Sequence, residues 1–301
     1  MKGEMISRIK ELYENNGNIM KYLREFENRN YNSSEDIMIS YDFQTGTYNK
    51  HYMDNRELYH QYHSEISKYI NYYISKLSSK KYKILEAGVG EGTTFGPVVG
   101  QLDVQPECSY GFDISWSRVK ECERFLDMLR FCGKKYIFLG DIFSMPFRDN
   151  SIEIVYTVHA LEPNGGKEKE LLEELYRVTG KYLILFEPSY EFGDMEQKRR
   201  MEYHGYVKDL SGKARELGYN IIEHRLLETS LNEKNVTALL VICKDTDMEK
   251  GDALCDPLTK GDLILGKSSY FALESLLAYP IVEGVPCLNI ENGILATKYC
   301  R

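Results

Sequence analysis

Residues 82–95 read Y-K-I-L-E-A-G-V-G-E-G-T-T-F. A short β-rich run, 82–87, meets three glycines at alternate positions, Gly88, Gly90 and Gly92, with a carboxylate, Glu86, at the junction. A strand that ends in glycines and opens a helix lets backbone N–H groups and the positive helix end approach a ligand closely. Two phosphate loops fail on spacing. The pattern G-x-G-x-x-G needs its third glycine three residues after the second, where Thr93 stands, and no Lys-Ser/Thr pair follows to make a P-loop. A carboxylate beside the glycines would also repel a phosphate.

Around this stretch, β-rich runs at 82–87, 108–113, 136–141, 152–158 and 181–187 alternate with helical periods at 117–131 and 169–178. That alternation predicts a parallel sheet with helices on both faces. Two more runs, 220–227 and 236–244, have no helix between them and are expected to close the sheet as an antiparallel pair. The expected fold is α/β, a Rossmann-like seven-stranded sheet with an N-terminal helical cap and a small β-rich C-terminal module. The boundaries are 1–80, 81–246 and 250–301, with the polar run after Lys244 as linker. Within the cap, Ile6, Ile9, Leu12, Ile19, Leu23 and Phe26 recur at helical spacing, broken near Gly17. The segment 39–52 has no clean period and carries Gly46, so it reads as loop. Asn55 is expected to cap a helix whose apolar face is Leu58, Tyr62, Ile66, Tyr69, Tyr73 and Leu77.

The 301 residues carry 43% hydrophobic and 28% charged side chains with a net charge of −8, an ordinary soluble composition that argues against a nucleic-acid partner. Seven scattered cysteines with no C-x-x-C pair suggest neither a disulfide framework nor a metal site, and a reducing cytoplasm is the expected location. The N-terminus is too charged for a signal peptide, and no apolar run reaches the roughly 20 residues needed to span a membrane. Of 24 tyrosines, ten lie between Tyr31 and Tyr82, as a core or as a wall over a ligand cleft.

Two further acids fall at strand ends. Asp113 closes G-F-D-I-S and Asp141 stands in L-G-D-I-F-S-M-P-F. With Glu86 they sit at the C-terminal ends of three consecutive expected parallel strands, which all open on one crevice. The run E-A-G-V-G-E-G, followed by these acids in this order, resembles the class I S-adenosylmethionine-dependent methyltransferases over roughly residues 81–246. The resemblance implies S-adenosylmethionine as cofactor, a cationic nucleoside without phosphate. Glu86 would then lie near its ammonium and sulfonium, with Gly88, Gly90 and Gly92 in the loop. Asp113, followed by Ile114, would take the ribose hydroxyls. Asp141 would meet the adenine amine, with Ile142 against the ring.

On the acceptor side, T-V-H-A-L-E-P-N-G-G at 157–166 offers His159, Glu162 and Asn164. His159 can be a general base, a cofactor contact or a structural residue, and the sequence leaves all three open. Glu162 and Asn164 can bind an acceptor amine or hydroxyl, although Asn-Gly-Gly is also a turn signal. Y-D-F-Q-T-G-T-Y, at 41–48, resembles the segment that many small-molecule methyltransferases place over the cofactor, with Tyr41, Gln44 and Tyr48 as lid residues. His51, His60 and His63 read as a solvated helix face without a metal, and Arg199 and Arg200 as a solvated helix that would otherwise meet an acidic substrate. The tail resembles zinc-ribbon-like methyltransferase-activator modules, but only Cys255 stands near a ligand position, so no metal is expected there. It is expected to be structural or to join copies into a homo-oligomer. Together these features imply an enzyme that methylates oxygen or nitrogen of a small molecule by direct in-line transfer. The alternatives are an RNA or protein methyltransferase docking through the C-terminal module, or a non-catalytic cofactor-binding partner subunit.

Overall fold

The computed structural model of the chain describes residues 2–246 and 251–299. Residues 247–250 of the expected linker and Cys300 lie outside this set. Five helices come first: α1 (Lys2–Glu14), α2 (Ile19–Phe26), α3 (Ser34–Phe43), α4 (Thr47–Asp54) and α5 (Arg56–Ile74). The core follows as β1 (Lys83–Ala87), α6 (Phe95–Gly100), β2 (Cys108–Asp113), α7 (Trp116–Met128), β3 (Lys135–Leu139), β4 (Ile152–Val158), α8 (Glu168–Val178), β5 (Thr179–Pro188), α9 (Met195–His204), α10 (Leu210–Glu216), β6 (Asn220–Leu226) and β7 (Thr237–Cys243).

The seven strands form one sheet in the order β3-β2-β1-β4-β5-β7-β6. The first five are parallel, while β7 runs antiparallel to both β5 and β6. Successive strand residues face opposite sides and both sides are buried, which is why these runs are continuously apolar instead of alternating. On one side, Ile84, Tyr156, Ile184 and Val241 pack with Tyr62, Ile66 and Ile70 of α5; on the other, Leu85, Val155, Leu183 and Leu240 pack with Leu171, Leu172 and Leu175 of α8. The strand order reverses between β1 and β4, the place where an open parallel sheet leaves a crevice at its C-terminal edge.

The segment 39–52 is not a loop. It forms the end of α3 and most of α4, joined at Gly46 in the left-handed conformation (φ 91°). Ser33 and Asp36 make a capping box that starts α3. Neither helix carries an apolar stripe, and α4 has no fully buried residue, so the periodicity that marks a helix is missing. Asn55 precedes α5 as expected, but its side chain donates to the His51 carbonyl at 2.9 Å and leaves the helix end uncapped. His63 departs from the expected solvated face. It is buried in α5 among Tyr52, Tyr59 and Tyr62, and burial lowers its pKa to about 4.

After the core, β8 (Leu263–Leu265), β9 (Ser269–Ala272), β10 (Leu277–Val282), β11 (Val285–Pro286) and β12 (Ile294–Leu295) build a second, small sheet. It is fastened to the outer edge of β3, where Leu288 N–H donates to the Leu139 carbonyl at 2.8 Å. Arg148 N–H donates to Ala253 and Cys255 N–H to Pro146, each at 2.9 Å, and Ala272, Tyr279 and Leu288 enter the core on the α8 side of the main sheet. The module thus shields the edge strand that a parallel sheet would otherwise expose. Among the described residues no helix is long and apolar enough to cross a membrane.

Candidate functional site

A cleft of about 690 Å³ opens at the C-terminal ends of the parallel strands, beneath α3 and α4. It collects Glu86, Gly88, Gly90, Asp113, Ile114, Asp141, Ile142, His159, Glu162, Asn164, Tyr41, Gln44 and Tyr48, residues spread over 124 positions of sequence from Tyr41 to Asn164. Gly92 does not line it. A Cβ at Gly92 would meet Cys122 Sγ at 2.7 Å, so this glycine lets the loop pack on α7. Of the three histidines 51, 60 and 63, only His51 reaches the cleft, and its Nδ1 lies 3.0 Å from the Tyr59 hydroxyl.

The glycine loop turns through three left-handed residues, with φ of 78° at Gly88, 55° at Gly90 and 76° at Gly92. A side chain at Gly88 would collide with Ala160, and one at Gly90 would come within 2.6 Å of Arg118. Asp113 fixes the loop. Its two oxygens accept Gly90 N–H at 3.0 Å and Ser115 N–H at 2.9 Å. An ionised carboxylate has about four acceptor positions, so each oxygen keeps capacity for a hydroxyl donor. Asp141 accepts Phe143 N–H at 2.9 Å and stands beside Ile142 on the cleft wall. Glu86 is buried at 1% exposure and accepts the Tyr156 hydroxyl at 2.6 Å. Burial raises its pKa to about 8, against the lowering effect of that hydrogen bond.

At the far end of the cleft, His159 takes a left-handed backbone (φ 52°) after β4. Its Nδ1 pairs with Glu162, and its Nε2 lies 2.7 Å from Thr237 Oγ1. Burial disfavours the imidazolium, but the charge and hydrogen bond of Glu162 outweigh it and raise the His159 pKa. Both ring nitrogens are therefore engaged inside the protein. Asn164 donates to the Leu161 carbonyl at 3.2 Å. Buried Glu187, at the end of β5, holds this loop by accepting Ala160 N–H at 3.0 Å and Leu161 N–H at 3.1 Å, and burial pushes its pKa up to about 7.

Several residues of the site were not legible as such. Glu91, inside the glycine loop, accepts Gly46 N–H at 2.9 Å and Asn49 N–H at 2.8 Å, which ties the roof to the loop. Asp42 of α3 accepts the Ser115 hydroxyl at 2.9 Å and the Ser117 hydroxyl at 3.0 Å at the start of α7. Arg118 lies beneath Tyr41 and Tyr48, its guanidinium 4.7 and 4.5 Å from their ring centres. Arg200, expected on a solvated helix, instead lines the cleft, while Arg199 beside it is exposed. The second acid of the run E-A-G-V-G-E-G was the one available hint for Glu91; the others depend on long-range folding.

The donor set decides what fits. Among the described residues, Glu86, Glu91, Asp113, Asp141 and Glu162 line a single cleft with two arginines, an arrangement that disfavours phosphates and suits a cationic nucleoside with hydroxyls and an amine. Residues 85–184 match the family described as methyltransferase domain. Among solved structures, the chain is similar to magnesium protoporphyrin IX methyltransferase from Synechocystis PCC 6803 with bound S-adenosylhomocysteine. The identity is 15% and the TM-score 0.53, over 70% of this chain and 99% of that one. It is also similar to an S-adenosylmethionine-dependent methyltransferase from Methanosarcina mazei, with 16% identity and a TM-score of 0.48, over 57% of this chain and 96% of that one. The likeness to the first of these structures is one of fold. Residues 85–184 are thus a methyltransferase domain, an enzyme domain whose cofactor is S-adenosylmethionine.

Proposed function

We propose that this chain methylates an oxygen or nitrogen atom of a small molecule enclosed beneath α3 and α4. The observation that carries this reading is the roof. Backbone groups of Gly46 and Asn49 are bound by Glu91, and Asp42 binds the start of α7, so the cap closes over the strand ends. The cleft of about 690 Å³ falls within the roughly 300–1,000 Å³ of small-molecule sites. A long polymer would need an open, basic approach, and the chain carries a net charge of −8.

In this reading Asp113 takes the ribose hydroxyls, Asp141 and Ile142 the adenine, and Glu86 the cationic end of the cofactor. When bound, S-adenosylmethionine supplies a methyl group: an acceptor lone pair forms the new bond to carbon as the carbon–sulfur bond breaks toward sulfur, and the acceptor loses a proton. The protein's part is to hold the two partners in line and exclude water. In this reading the proton passes to the His159–Glu162 pair, which lines this end of the cleft and is held in place by Thr237. Incubation with methyl-labelled S-adenosylmethionine and separated pools of small metabolites, RNA and protein tests the reading. Label is expected in the small-metabolite pool; label in RNA or protein alone, or in none, overturns it.

A further inference from the structure

At the acceptor end of the cleft, two buried polar atoms have no partner and ask for opposite things. Arg200 Nη1, on α9, is buried and has no hydrogen-bond partner among the described residues. The guanidinium lies 5.5 Å from the ring centre of Tyr206. Asn235, 5% exposed in the approach to β7, donates its amide to Glu162 at 3.1 Å and leaves its Oδ1 buried and unbonded. Reversing that amide would set its oxygen against the Glu162 carboxylate, so the orientation is fixed by chemistry. Buried polar atoms in a folded protein are normally satisfied, and a partner left out costs free energy.

The local charges make Arg200 available. Glu162 is taken up by His159 and by the Asn235 amide and makes no ion pair with the arginine among the described residues. The donors of Arg200 therefore call for an anion, and a guanidinium matches a carboxylate in shape as well as charge. Asn235 Oδ1 calls for an N–H or O–H. We propose that the methyl acceptor is a small carboxylate that also bears an amine or hydroxyl, its carboxylate docked on Arg200 and its N–H or O–H on Asn235. An oxygen paired with a guanidinium is a poor nucleophile, so the carboxylate is the anchor and the N–H or O–H atom is the one methylated. This rests on the function proposed above and narrows its substrate class.

Calorimetric titration of the full chain tests it in two stages, first with S-adenosylhomocysteine and then, on the loaded protein, with lactate, anthranilate and salicylate and with their amides. At least one carboxylate is expected to bind, its amide about tenfold or more weakly, and Arg200→Ala to remove that preference while leaving S-adenosylhomocysteine affinity unchanged. Arg200→Lys, which keeps the charge but not the fork, should fall between. Equal binding of acid and amide, no binding of any acid to the loaded protein, or an unchanged preference in Arg200→Ala overturns the inference alone. So does weaker S-adenosylhomocysteine binding by Arg200→Ala, which would place the arginine on the cofactor's own carboxylate. Failure of the wild-type protein to bind S-adenosylhomocysteine overturns the functional reading and this inference with it.

Discussion

Glu86 is a carboxylate that the fold keeps protonated when its cleft holds no cation. Burial lifts its pKa from 4.5 to about 8, so the folded chain retains a proton that the unfolded chain releases. Its contribution to stability is then fully present below about pH 4.5 and is lost as pH rises toward 8. Denaturant melts across this range should show the decline, and Glu86→Gln should flatten it. A cation beside Glu86 favours the ionised form, so S-adenosylhomocysteine, with its ammonium, should expel a proton on binding near pH 7. Calorimetry in two buffers of different ionisation heats measures that release directly; Glu86→Gln should lose it, and a buffer-independent heat in the wild type would remove Glu86 from the cation's surroundings. Asp113→Ala should cost on the order of 1.5–3 kcal/mol of cofactor binding, about ten- to a hundredfold in affinity. Unchanged affinity would show that the ribose is held elsewhere. These acids were legible because each stands at or just past the end of a strand, where local pattern and chemistry coincide. Arg200 was legible only as the lesser alternative to a solvated helix, because M-E-Q-K-R-R reads as a charged run and only the fold of α9 over the cleft turns one arginine inward.

At the scale of elements, the roof is the part that sequence periodicity misread. The helices α3 and α4 bury too little apolar surface to show a stripe; α3 is started by its capping box, and α4 is held at its start by Glu91 of the core. The strands were legible because a doubly covered parallel sheet requires continuous apolar runs. Two polar contacts from one side chain make Glu91 the fastening between glycine loop and roof. Glu91→Ala leaves Gly46 and Asn49 N–H groups without that acceptor, and amide exchange should quicken over 41–52 while β1 stays protected. Cofactor affinity should fall about tenfold with the loosened roof. Unchanged exchange in 41–52 would show that the apolar contacts of α3 suffice.

For the whole molecule, the sheet and the C-terminal module act as one structure. Asp256, fully buried, accepts the Tyr279 hydroxyl at 2.6 Å and the Thr259 hydroxyl at 2.8 Å, and so fixes the module's turn against Tyr279, whose ring packs in the core on the α8 side. Asp256→Ala should destabilise the protein by on the order of 2 kcal/mol, visible as a lower melting temperature; an unchanged melting temperature would make the module an independent appendage. Its attachment to β3 was not legible, since edge pairing between Cys287 and Leu139 joins residues about half the chain apart with no shared local signal. The charge pattern of the cleft bears most directly on what the protein binds. Thermal denaturation of the full chain with S-adenosylhomocysteine, NAD or ATP provides the most direct test. An acid-lined cleft that suits a phosphate-free nucleoside carrying an ammonium predicts stabilisation by S-adenosylhomocysteine and none by NAD or ATP; stabilisation by NAD or ATP with none by S-adenosylhomocysteine would contradict it.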